Sequence, residues 1–174
     1  LYGTGDRRKQ TLDEIVIAAI RLLDGSSDLT KLFISHAKAD LADTQNAAKA
    51  IRDFAATDTT LKTFFDANDL RAGEPLAKQL ERAVSRGIVL VVRSDAYASR
   101  AWCQAELLEA KKSGIPVVTL EVLREGEPRS YPYGGNVPSV VWKGNPADVF
   151  CRAMVERLRW LYFEREGERV IEAA

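Results

Sequence analysis

Several things this chain of 174 residues does not have are informative. It has only two cysteines, Cys103 and Cys151, each inside an apolar helical pattern and without metal-ligand spacing. A disulfide framework and a zinc ribbon are both excluded, and the usage fits a reduced, cytoplasmic compartment. The single histidine, His36, has no ligand partners beside it, so no metal site is expected. Net charge is also missing: 25 Lys and Arg balance 25 Asp and Glu. That argues against nucleic acid or an anionic membrane as the main partner. No apolar run approaches the length of a membrane span, and no basic-then-apolar signal opens the chain. It begins on Leu1 rather than Met, as an excised piece of a longer protein would.

What is present reads as one domain with an extra helix in front of it. Thr11 and Glu14 have the spacing of a capping box, and Leu12, Ile15, Val16, Ala19, Leu22 and Leu23 form an apolar stripe that Gly25 ends. The spacing predicts a helix over 11–24, then a polar linker, "GSSDLT". Five apolar runs follow: "KLFIS" (31–35), "LKTFF" (61–65), "IVLVV" (88–92), "IPVVTLEV" (115–122) and "VPSVVW" (137–142). They are continuous rather than alternating, which suits parallel strands covered on both faces. Helical patterns lie near 41–56, 76–86, 101–113 and from Pro146, capped by Asn145, to about Arg165.

The fold class expected is therefore α/β, a flavodoxin-like three-layer sandwich. Its five-stranded parallel sheet would have the order 2-1-3-4-5, with the N-terminal helix added. The expected divisions are 1–30 for that helix and linker, 31–166 for the domain and 167–174 for a tail.

Such sheets bind ligands beyond the carboxyl ends of their strands, where the winding reverses. That point falls between "SHAKAD" after strand 1 and "RSDAYASRAW" after strand 3. The second loop leads into a helix on which Trp102 and Glu106 are one turn apart, on a shared face. The pair is either an amphipathic boundary or the wall and the carboxylate of one pocket. A phospho-receiver would need clustered acids after strand 1, where Ser35 and His36 stand; Asp95 and Lys143 supply only part of such a site. A dinucleotide fingerprint would need a glycine-rich turn there, and the "GTG" near the N-terminus precedes no strand.

Three stretches taken together resemble the Toll/interleukin-1 receptor (TIR) domain family. "LFISHAKAD" resembles its first box, and "FFDANDLRAGEP" its loop after strand 2. "SDAYASRAWCQAELLEA" is similar to its Ser-x-x-Tyr-x-x-Ser-x-Trp-Cys-x-x-Glu stretch. The match runs in order from Lys31 to about Arg165, and it departs at His36, where many relatives have Tyr.

Many members cleave NAD+ at the nicotinamide–ribose bond, and the resemblance places their catalytic glutamate on Glu106. Others, including animal receptors and adaptors, are adhesion modules that signal by assembly, so both functions stay open. The resemblance also implies self-association through the loop carrying Asp69, Arg71 and Glu74; a lone domain with no membrane segment adds the expectation of a bacterial antiphage defence role, with a sensor or effector domain in the same or another chain. NAD+ would be the substrate, with no cofactor.

One carboxylate suffices for such chemistry. Glycosidases add an acid to protonate the leaving oxygen, but nicotinamide is a cationic pyridinium that departs neutral. What remains is to stabilise an oxocarbenium-like ribose. Ser35, His36 and Lys38 could then contact substrate, Arg100 a phosphate and Trp102 a flat ring. The plainer alternatives are a solvated Glu106, a core Trp102, a packing Cys103, a polar loop residue at His36 and surface charges at Lys38 and Arg100. Tyr97 and Ser99 are expected to shape the loop and cap the helix.

Overall fold

The computed structural model describes residues 4–25, 31–38, 47–58, 64–66, 78, 87–126 and 134–172. Among them, strands β1 (Lys31–Ser35), β2 (Phe64–Asp66), β3 (Gly87–Arg93), β4 (Val117–Glu121) and β5 (Ser139–Val141) form one sheet. Their order is β2-β1-β3-β4-β5, and each neighbouring pair is parallel. The central strands are rich in β-branched residues: Ile34 lies opposite Leu90, and Val89 opposite Val117.

Alternate residues of these strands feed two separate cores, one on each face. Leu32, Ile34, Ile88, Leu90, Val92, Val118 and Leu120 pack with helices α1 (Thr4–Asp24), α2 (Ala47–Asp58) and α4 (Pro146–Glu172). Phe33, Val89, Val91 and Val117 pack on the other face with α3 (Ala101–Lys112). The chain leaves α3 through Gly114 at φ +65°, with Ile115 N–H on the Ala110 carbonyl at 2.9 Å and Gly114 N–H on Lys111 at 3.2 Å. This pair of bonds needs a left-handed residue, which glycine adopts without strain. It returns the chain directly to β4.

Two expected helix bounds are corrected. Helix α1 starts at Thr4, so Thr11 and Glu14 are interior residues rather than a capping box. Arg7, Arg8, Lys9 and Gln10 are good helix formers but carry no apolar period for a pattern to register. Helix α4 does start as expected, with Ala147 N–H on Asn145 Oδ1 at 3.1 Å, but it runs on to Glu172. The helix expected to end at about Arg165 thus continues, its last turns supported by Arg169 on Glu166 at 2.8 Å. Helix α1 packs into the same core as the sheet and α4. Ile17 and Ile20 of α1 are buried with Phe150, Met154 and Leu161 of α4, and Asp24 pairs with the buried Arg157 at 3.1 Å. Of the strand run 61–65, residues 61–63 lie outside the described residues, and a strand is described over Phe64–Asp66. The expected helix over 76–86, except Lys78, and the start of the one over 41–56 lie outside the described residues. No helix among the described residues is long and apolar enough to cross a membrane.

Candidate functional site

Cys103, Glu106, Leu107 and Ala110 form the buried stripe of α3. Glu106 thus occupies a position that an apolar residue would normally fill, and its exposure is 0%. A carboxylate there needs partners, because a buried unpaired one is strongly disfavoured. Ser35, the last residue of β1 and itself fully buried, donates its hydroxyl to Glu106 Oε2 at 2.6 Å. Trp102 donates its indole N–H to Oε1 at 2.5 Å. Trp102 is 50% exposed, so it is a cover with its N–H turned inward rather than a core anchor.

A second layer stands behind these contacts. Tyr97, buried in the 3-10 turn Tyr97–Ser99, places its hydroxyl 2.8 Å from Ser35 Oγ and 3.1 Å from the Cys103 carbonyl. The Cys103 thiol is buried and donates to the His36 carbonyl at 3.5 Å, consistent with packing. His36 is buried as well, with Nδ1 3.3 Å from the Ala37 carbonyl. Ser99 does not cap α3. Arg100 occupies that position without a side-chain cap, and Ser99 Oγ bonds the Ala96 carbonyl at 2.7 Å inside the preceding turn. The Gln104 side chain ties the helix back to the Ala98 carbonyl.

The loop that delivers Tyr97 is anchored by Asp95. Its carboxylate accepts the backbone N–H groups of Arg124 at 3.1 Å, Glu125 at 3.0 Å and Gly126 at 3.0 Å. These bonds, led by that from Glu125, hold the Asp95 carboxyl below its ordinary value against a smaller opposing cost of desolvation. The loops after β3 and β4 are joined in this way, next to the Arg93–Glu121 pair at 3.1 Å.

Of the expected site residues, Ser35 and Trp102 meet on Glu106. Lys38 and Arg100 are exposed near the ends of β1 and α3, and His36 presents its backbone to the cluster. Asp69, Arg71 and Glu74 lie outside the described residues. The Tyr97 hydroxyl and the Asp95 anchor were not legible, since their partners are 62 and 29–31 residues away in the chain. A cavity of about 350 Å³ opens elsewhere, against Ile115, Pro116, Val137, Trp160 and Phe163, and none of the Glu106 cluster lines it. Among the described residues, the donors seen on this carboxylate are the neutral Ser35 hydroxyl and the indole N–H of the half-exposed Trp102.

Residues 32–148, about two-thirds of the chain, match the family model described as TIR domain. No curated protein matches the chain.

Proposed function

Because the chain belongs to the TIR-domain family, we propose that it is an NAD+ nucleosidase that cleaves the nicotinamide–ribose bond with Glu106 as its catalytic carboxylate. The observation that carries this reading is a fully buried glutamate held by Ser35 and Trp102, beside the carboxyl end of β1. In a flavodoxin-like sheet of this kind, the substrate would sit in the crevice between the loops after β1 and β3. Hydroxyl and indole donors fix the direction of the carboxylate while leaving its charge available to the cation that develops at the ribose carbon. Nicotinamide then leaves as a neutral base. Water or an internal nucleophile completes the reaction, giving ADP-ribose or a cyclic isomer. On this reading the exposed Lys38 and Arg100 meet phosphates, and His36 contacts the substrate from the β1 side.

Substrate has to displace the cover before it reaches Glu106. Self-assembly through the loop that carries Asp69, Arg71 and Glu74 can supply that displacement, because a contact that favours the open state shifts the population towards it. On this reading the protein acts in the cytoplasm as a bacterial antiphage effector, alongside a sensor or effector domain. A second reading is a non-catalytic module that signals by homotypic assembly. The complete burial of Glu106 favours it, since a carboxylate closed off by Ser35 and Trp102 can also be purely structural.

The test is incubation of concentrated protein with NAD+ and chromatography of the products. Nicotinamide from the parent and not from Glu106→Gln supports the enzyme. A folded parent that releases none at any concentration leaves the assembly module.

A further inference from the structure

Four buried oxygens stand in a row: Glu106 Oε2, Ser35 Oγ, Tyr97 Oη and the Cys103 carbonyl. Successive separations are 2.6, 2.8 and 3.1 Å. The Ser35 and Tyr97 hydroxyls bring two protons to these three gaps, so one gap goes without a proton. An ionised Glu106 only accepts, and therefore the 2.6 Å contact holds the Ser35 proton. Ser35 Oγ is then left as an acceptor. Tyr97 has one proton to give and two acceptors in reach, Ser35 Oγ being the nearer. The Cys103 carbonyl sits within α3, where the N–H four residues on is its ordinary partner, so it does not depend on Tyr97.

We infer that Tyr97 is a positioning residue for Glu106. Its hydroxyl donates to Ser35, fixes the Ser35 rotor and so holds the carboxylate in one orientation, through a chain polarised towards the acid. The ring is well suited to this. It is 2% exposed and packed with Phe33, Val89, Val91 and Leu107, on a turn pinned by Tyr97 N–H to the Ser94 carbonyl at 3.0 Å. The catalytic consequence rests on the nucleosidase reading, whereas the effect on the carboxylate does not. A tyrosine whose hydroxyl merely satisfies a helix carbonyl would influence neither.

The experiment uses protein labelled with carboxyl-¹³C glutamate, with the Glu106 resonance identified by its loss in Glu106→Gln. Tyr97→Phe keeps the ring, and melting should stay within about 4 °C of the parent. The Glu106 resonance should move in Tyr97→Phe but show no further movement when Tyr97→Phe is added to Ser35→Ala. In turnover, kcat should fall roughly three- to tenfold with KM unchanged, and again not in the Ser35→Ala background. A Glu106 resonance that is unmoved by Tyr97→Phe, or moved equally in the Ser35→Ala background, overturns the proposal. If the resonance moves but no variant or parent releases nicotinamide, the positioning role stands and the nucleosidase reading fails.

Discussion

On the α4 face of the sheet, Glu156 lies between Arg152 at 2.9 Å and Arg159 at 3.4 Å, and Arg157 reaches Asp24 at 3.1 Å. On the α3 face, Glu106 takes a hydroxyl on one oxygen and an indole N–H on the other. Both glutamates are buried, at 8% and 0% exposure. Guanidiniums neutralise the charge they meet, which suits groups that support one helix, as around Glu156, or join two, as Arg157 and Asp24 do. Neutral donors orient a carboxylate without cancelling its charge. A developing cation would benefit only from the second arrangement.

The sharpest way to break this contrast is to remove each charge while keeping the shape. Glu106→Gln should lower NAD+ turnover roughly 10²–10⁴-fold with the fold intact. Glu156→Gln should leave turnover within about twofold and cost about 1 kcal/mol, because Arg152 and Arg159 are exposed and stay in water. Nicotinamide release and urea unfolding measure the two effects. Equal losses of turnover would erase the distinction between the faces.

The Asp24–Arg157 pair tests the α4 face from its other end. Its side chains are only 14% and 6% exposed, so Asp24→Ala leaves a buried guanidinium and should cost about 3–5 kcal/mol in urea unfolding. Adding Arg157→Met should recover part of that loss. A cost below about 1 kcal/mol would make the docking of α1 dispensable.

Trp102→Phe examines the cover on Glu106. Trp102 is half exposed, so little packing is lost, but Glu106 Oε1 loses its donor; stability should fall by about 1–3 kcal/mol and kcat roughly tenfold. Unchanged kcat would reduce Trp102 to a lid without an orienting role.

The smallest effect concerns Asp95, an anion held by backbone N–H groups. Its folded-state value is depressed below 3.8, so its contribution is complete above that pH and is lost as pH falls through the lower folded value. Melting curves of the parent and Asp95→Asn should therefore differ at neutral pH and converge in acid. A gap that persists at the lowest pH would separate the anchor from its charge.

Legibility followed the range of each interaction. A parallel sheet clothed in helices was visible because "KLFIS" and "IVLVV" are continuous apolar runs, and burial on both faces permits no alternation. The start of α4 was visible because an Asn-Pro cap is local. The polar ends of α1 and α4 were not, since helix-forming charged residues leave no apolar period there. Trp102 and Glu106 could be paired because one helical turn joins them. Ser35 was placed near the site as a donor to substrate, yet its hydroxyl is spent on Glu106, 71 residues away.

By itself, then, the sequence determined what local rules control: helices alternating with buried strands, a balanced charge, and a carboxylate one turn beyond an indole on the same face. Tertiary structure alone decided that this carboxylate is closed from solvent, which neutral groups hold it, and that Tyr97 stands behind Ser35. The reason is physical: burial and hydrogen bonding depend on which distant segments the packed sheet brings within 3 Å, and residue spacing along the chain does not encode that distance.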